Sequence, residues 1–417
     1  MRILMINNHF SFGGGGDASF RHERLVYEEA GYSVHTFAHE ISRPAEAGAS
    51  DYVAIESSNR LLRKTQKYLG NPAMHDALKR VLTDVDPDLV HVHLAQGYPT
   101  SIFSALTDYP VMHTLHGPNM FCATSWGCIK NTGQACEQGT GLKCYTRGCV
   151  SLATLPMHMS LAWRTARQAK RNVDVYLCPS KQIQRTAENL GFKPAEYFPL
   201  SIDRRFMAVE PHLFDGPPTI LYVGGLTEQK GVLVLLEAFA EVKRRVPDAR
   251  LVYAGTGALQ RALQQRAAEL RCADSVEFRG FVARDDIVAT YQSAHVVAVP
   301  SIWNEQFGLV GPEALACGVP CVGSNIGGIP EWLHDGQWGY TVQPRNSLAL
   351  AERLVALLTD RARCQELGLR GREFVLRAFG PEQFKNNVLD LAERYGRRTT
   401  WSTLKSGGNL AQPIANS

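Results

Sequence analysis

The chain has 417 residues, 45 % of them hydrophobic and 20 % charged, with a formal net charge of +4. That length exceeds one ordinary core, so two domains of about 200 residues each are expected. The mild positive charge argues against a nucleic-acid binder, and no run of roughly eighteen apolar residues, the least that spans a bilayer, occurs. Met1–Asn8 (MRILMINN) lacks the length and cleavage site of a secretory signal and reads as a first strand. A cytoplasmic protein with mostly reduced cysteines is therefore expected.

After that strand, Ser11–Asp17 forms a glycine-rich turn, followed by a helix with Phe20, Leu25 and Ala30 along it, closed by Gly31. Tyr32–Ala38 is the next strand. Strand, glycine turn, helix, strand is a mononucleotide-binding half-fold. The turn is not GxGxxG with a suitably placed acid, so no dinucleotide site is expected. Two basic stretches, Arg60–Tyr68 and Trp163–Arg171, alternate cations with apolar residues. Each suits a solvated helix face or a surface resting on anionic lipid headgroups. The acids Asp84, Asp86 and Asp88 precede the strand Leu89–His93 and so form a helix-to-strand turn, not a metal site.

The strand beginning at Pro110 carries His113 and leads to His116 where it reaches a cleft. Cys122, Cys128, Cys136, Cys144 and Cys149 then follow with five, seven, seven and four residues between them. That spacing matches neither a standard zinc knuckle nor a CxxC pair. A structural zinc (or another metal), unpaired thiols and reversible disulfides all remain open for this segment. Strand Val173–Cys178, a PSK turn and a helix ending at Gly191 close the first half, with a hinge from Phe198 through Pro218.

The alternation restarts at Ile220–Gly225, with Lys230 and Gly231 before the helix Val232–Val246. Strand Arg250–Ala254, a helix to Leu270 and Val276–Phe278 lead to Gly280-Phe281-Val282 and a helix from near Asp285. Val296–Val299 is a buried strand. Glu305 lies in the loop after it, and a helix starts near Gly308–Pro312 with Glu313 in its first turn, stopped by Gly318. The helix N-terminus offers N–H groups to an anion, while two carboxylates there suit vicinal hydroxyls of a sugar or ribose. Strand Pro320–Gly323 follows. Ser347–Leu358, Arg361–Leu369 and Pro381–Tyr395 read as amphipathic helices. Trp401–Ser417 holds few core residues and is expected to be mobile.

Glu305, seven residues, Glu313 and then ALACGVPCVGSNIGGIPE closely resembles the signature of glycosyltransferase family 4, retaining enzymes of the GT-B fold. Supporting likenesses run over residues 110–118, 220–231 and 250–282, so the resemblance covers nearly the whole chain. It implies an α/β fold of two doubly wound Rossmann-like domains facing a cleft. Residues 1–205 would form the acceptor-side domain with a Cys-rich insertion at 119–150. Residues 206–380 would bind the nucleotide-sugar donor, 381–400 would cross back, and 401–417 would be the tail. It further implies sugar transfer to a saccharide or lipid-linked acceptor, with no catalytic cofactor and no nucleic-acid partner. His116 would lie beside the transferred sugar and Glu305 would hold its hydroxyls. Glu313 would take the ribose, and Phe281 would lie where the base binds. Gly14, Gly15 and Gly16 would touch donor phosphate or acceptor. Gly308, Leu309 and Val310 would give N–H groups to the diphosphate, with Lys230 beside them. Gly225 stands where the family has an arginine, so Lys230, a point charge without that fork, would carry the diphosphate with backbone N–H groups. A nucleotide-sugar 2-epimerase and a non-catalytic sugar-nucleotide sensor are the rival readings.

Overall fold

The structure is a computed structural model, and it describes residues 1–7, 15–55 except 41–50, 57–125 except 96, 127, 129, 136–211 and 215–396. Gly14, Cys128 and the tail 401–417 therefore lie outside the described residues. Two all-parallel sheets carry the chain. The first comprises β1 (Arg2–Ile6), β2 (Ser33–Glu40), β3 (Tyr52–Ile55), β4 (Leu89–Val92), β5 (Val111–Thr114), β6 (Val175–Cys178) and β7 (Ala195–Tyr197). Their spatial order is β3-β2-β1-β4-β5-β6-β7. The second comprises β8 (Thr219–Val223), β9 (Arg250–Ala254), β10 (Val276–Gly280), β11 (Val296–Val299), β12 (Cys321–Ser324) and β13 (Gly339–Val342), in the order β10-β9-β8-β11-β12-β13.

Strands such as β4, β5, β6, β11 and β12 are buried along their whole length, as parallel strands covered by helices on both faces must be. In each sheet the order reverses once, between β1 and β4 and between β8 and β11. The C-terminal ends of strands at such a reversal form a crevice for ligands. His93 follows β4, His116 follows β5, and the helix Gly15–Glu29 follows β1. Lys230 follows β8 and Glu305 follows β11. The topology alone thus gathers the candidate residues at the crevice ends of both sheets.

The helix Pro381–Tyr395 leaves the second sheet and packs on the first. Its Phe384, Val388 and Leu391 share a core with Ile3, Met5 and Phe20, and Arg394 forks onto Glu196 at 3.0 and 2.7 Å. This is the GT-B arrangement that the sequence resemblance implied. Some boundaries differ from the sequence reading. The helix expected over Arg361–Leu369 runs on to Ala378 because Gly371 and Val375 are buried too. The helix expected near Asp285 starts at Ile287. Asp86, Asp88 and Arg2 tie the turn before β4 at the end of the sheet away from the crevice.

Candidate active site

The loop after β11 is shaped by glycines that let backbones meet. A Cβ on Gly231 would fall 1.9 Å from the Pro300 carbonyl oxygen, and one on Gly327 would fall 2.1 Å from that of Glu305. The Gly328 N–H donates to the same Glu305 carbonyl at 2.7 Å. The GG pair of the GGIPE ending thus clamps the Glu305 loop from behind. Gly311 leaves room for the indole of Trp332, where a Cβ would meet Cη2 at 1.9 Å.

Glu305 is buried, and its Oε2 accepts from Lys230 Nζ at 2.8 Å, Ser301 Oγ at 2.9 Å and Trp303 Nε1 at 2.9 Å. Burial alone would raise its pKa. The ammonium charge of Lys230 and these hydrogen bonds outweigh it and hold the carboxyl below the usual range. Lys230, expected beside the diphosphate, is paired with Glu305 and lies over the Trp303 ring at 5.4 Å. Ser301 and Trp303 were not singled out by the sequence. Beside Glu305, the buried Asn304 Oδ1 and Gln306 Oε1 have no hydrogen-bond partner.

Glu313 stands in the short helix Val310–Ala316, where its Oε2 accepts from Tyr291 Oη at 2.8 Å. Burial pushes its pKa up to about 7, against the lowering effect of Tyr291. Gly308 has a φ of +82° and Leu309 precedes the first helical residue, Val310, so the first N–H groups of this helix have no intrahelical acceptor. Phe281 follows β10 and is 77 % exposed, clear of the core. At Gly225, where the family resemblance has an arginine, a Cβ would meet Thr227 Cγ2 at 3.8 Å and the Thr256 carbonyl oxygen at 4.0 Å, so the position has room for a side chain.

In the first sheet, His116 Nε2 lies 2.9 Å from His93 Nδ1, with the two rings stacked. Gly16, at the start of its helix with Gly15, lies against His116; a Cβ there would be 3.4 Å from Cγ of the ring. Burial drives the pKa of His116 down to about 3, so the ring is neutral near pH 7. His116, His93 and Thr114 line a cavity of about 150 Å³ together with Lys67, His158 and Leu161.

Cys122 also lines that cavity. Cys122, Cys136, Cys144 and Cys149 are half-buried free thiols, and burial raises the Cys144 thiol, with its three neighbours adding to the rise. No three of these sulfurs lie within 4.8 Å of one another; among the described residues that closeness is reached by Glu23, His91 and His93. Cys128, the fifth cysteine of the segment, lies outside the described residues. The segment nevertheless joins the two halves of the site. Gly127 is wedged so that a Cβ would lie 2.9 Å from Asn304 Cβ and 3.0 Å from Pro118 Cγ. Asn304 adjoins Glu305 and Pro118 is two residues from His116, so the loops that follow β5 and β11 approach each other here.

The family profile "Glycosyltransferase Family 4" matches residues 14–205, and "Glycosyl transferases group 1" matches residues 203–374. The two overlap at 203–205 and together span every strand of both sheets except β1. The chain belongs to glycosyltransferase family 4. This glycosyltransferase is 26 % identical over 388 residues to the GDP-mannose-dependent alpha-(1-6)-phosphatidylinositol monomannoside mannosyltransferase of Mycobacterium tuberculosis, covering 90 % of this chain and 93 % of that one. It is 30 % identical over 295 residues to the D-inositol 3-phosphate glycosyltransferase of Nocardia farcinica, covering 68 % of this chain and 61 % of that one. Its fold matches sucrose-phosphate synthase from Thermosynechococcus elongatus with a TM-score of 0.74 at 21 % identity, covering 94 % and 98 % of the two chains. Anabaena HepE in complex with UDP-glucose matches with a TM-score of 0.70 at 16 % identity, covering 94 % and 100 %. The enzyme is a glycosyltransferase.

Proposed function

We propose that this glycosyltransferase moves a sugar, with retention at the anomeric carbon, from a nucleotide sugar held by the second sheet to an acceptor reaching His116 through the cavity of the first. The observation that carries this reading is the approach of the loops after β5 and β11 around Gly127, with an ionised Glu305 on one side and a neutral His116 on the other. Glu305 holds sugar hydroxyls through Oε1, its Oε2 being filled by three donors. Lys230, already fixed by Glu305, reaches the diphosphate together with the N–H groups of Gly308, Leu309 and Val310. Glu313 holds the ribose, and Phe281 is free to cover the base. The His116 ring hydrogen-bonds the sugar and, being uncharged, does not oppose positive charge developing at the anomeric carbon. A donor phosphate oxygen takes the proton of the acceptor hydroxyl. Gly15 and Gly16 keep the chain close to that site.

The acceptor side has a distinctive surface. Helices Arg60–Leu69 and Leu155–Asn172 pack together, with the Arg164 guanidinium donating to the Tyr68 and Leu69 carbonyls at 2.9 and 2.7 Å. Leu61, Leu69 and Trp163 are 72 %, 68 % and 63 % exposed beside Lys64, Lys67 and Arg167. Exposed apolar side chains among cations fit an anionic membrane surface, and Lys67 of this surface, with His158 of the second helix, also lines the cavity that His116 lines. These shared lining residues support a lipid-linked acceptor, taken up at the inner face of a membrane by a peripherally bound enzyme. No described helix is long and apolar enough to cross a membrane.

Thermal shift against UDP-, GDP- and ADP-sugars identifies the donor class, since ligand bound to the native state raises its apparent stability. One nucleotide class is expected to raise the melting temperature; no response to any would oppose the donor assignment. Sedimentation with phosphatidylglycerol vesicles tests the surface. Leu61→Asp with Trp163→Ala should lose vesicle binding while still responding to donor, and binding equal to wild type would oppose membrane contact.

A further inference from the structure

Behind His116 lies a chain of buried polar groups that the proposed reaction does not use. Glu23, from the helix Gly15–Glu29, is fully buried, and its Oε1 accepts from Ser19 Oγ at 2.8 Å. Its Oε2 and His93 Nε2 both lack a hydrogen-bond partner, yet they face each other at 3.6 Å. His93 Nδ1 in turn meets His116 Nε2 at 2.9 Å. Two orphaned buried polar atoms cost free energy unless they satisfy each other. A small approach of Glu23 to His93 does so and completes a continuous path, Ser19–Glu23–His93–His116.

We infer that Glu23, acting through His93, is a positioning residue for His116 and sets whether that ring offers the cleft an N–H or a lone pair. The inference rests on the reading of His116 as the ring beside the sugar. With His116 Nε2 bonded to His93, Nδ1 is the ring nitrogen left for the cleft. When the Glu23 carboxyl is protonated it donates to His93 Nε2. His93 Nδ1–H then donates to His116 Nε2, and His116 Nδ1–H points outward. When the carboxyl is ionised, His93 Nε2–H donates to it, His93 Nδ1 accepts from His116 Nε2–H, and His116 Nδ1 presents a lone pair. Between the two states one proton leaves at His116 Nδ1, two protons shift by one link, and the negative charge rests on Glu23. No imidazolium forms, which suits rings whose burial opposes charging.

The titratable groups facing Glu23 are His91 and His93 from β4 and Tyr27 from its own helix, with His113 and His116 behind them. His91 Nδ1 lies 3.4 Å from Glu23 Oε2 and 3.2 Å from Tyr27 Oη, and its Nε2 is 2.8 Å from Thr114 Oγ1. Burial pushes the Glu23 carboxyl up to about 8, with Ser19 lowering it, so both states fall within an accessible range. The phenol of Tyr27 is pushed upward and stays protonated there.

The full chain, carrying isotope-labelled histidine, is titrated across this range while proton–nitrogen correlation spectra report the His116 tautomer, with His116→Ala locating its signals. The wild type should pass from Nδ1–H to Nε2–H as pH rises through about 8. Glu23→Gln should keep one tautomer throughout. Ser19→Ala, the milder change, should move the transition to higher pH because it removes the hydrogen bond that lowers Glu23. A His116 tautomer that never changes, or one that changes alike in wild type and Glu23→Gln, overturns the inference. So does one equivalent of metal released on denaturation, which would make Glu23, His91 and His93 a metal site instead. Full transfer activity in His116→Ala would defeat the reading of His116 while leaving the tautomer result to stand by itself.

Discussion

Glu305 and Glu313 have seven residues between them, yet their surroundings push them opposite ways. Three donors keep Glu305 ionised at any pH near neutrality, whereas Glu313 has one phenol and is raised to about 7 by burial. The ribose recognition proposed for Glu313 needs the carboxylate, because an ionised group accepts from two hydroxyls without offering a proton. Donor affinity should therefore strengthen as pH rises from about 6 to 8, and Glu313→Gln should flatten that dependence; calorimetric titration of donor at several pH values reads both. His116→Ala should cut kcat on the order of 100-fold, the scale of losing one well-placed polar contact in the transition state, with the melting curve little changed. These acids were legible because they sit in one short sequence unit. The Glu23–His93 path was not, since 70 residues separate its partners and only the β1–β4 reversal brings them together.

The loop between β11 and the helix Val310–Ala316 owes its shape to glycines placed elsewhere. Gly327→Ala should destabilise the protein by several kcal/mol and reduce transfer, because the new Cβ would press on the Glu305 carbonyl at 2.1 Å with φ at +62°. Gly336→Ala is the control: its φ is +72° but nothing lies within 4 Å, so it should cost only about 1–2 kcal/mol of backbone strain and spare activity. Equal loss in both, measured by denaturant unfolding and transfer rate, would contradict a clamping role for Gly327. The sequence displayed the GGIPE ending but not what it clamps. Glu331 of that ending accepts from the Lys181 N–H and meets Tyr197 on the first sheet, a tie between halves that sequence spacing could not display. The short strands β3 and β7 also went unread, since four and three residues at sheet edges leave little periodicity. The fully buried strands β4, β5, β6 and β11 were legible as apolar runs.

Across the whole molecule, buried histidines and buried acids work against each other as pH changes. Burial depresses His91 and His116 to about 3 and His113 to about 4, below the ordinary value of 6.5. Below 6.5 the unfolded chain binds protons that the folded chain refuses, so stability is lost as pH falls from there toward 4. Glu23 and Glu313 are raised to about 8 and about 7 from 4.5. Their contribution is fully present below 4.5 and is lost as pH rises through the folded values. Melting temperature should therefore peak near pH 6.5 and fall on both sides. Glu23→Gln should weaken the alkaline fall, and a curve rising steadily to pH 9 would contradict the assignment of these buried groups.

The proposed reaction is sugar transfer between the loops that follow β5 and β11, with Glu305 essential and configuration retained. The most direct measurement takes the nucleotide sugar selected by thermal shift, follows transfer by proton NMR, and reads the anomeric configuration of the first product formed by wild type and by Glu305→Gln. The account predicts the donor's configuration in the wild-type product and no product from the folded variant. An inverted anomer, or full transfer by Glu305→Gln, would contradict it.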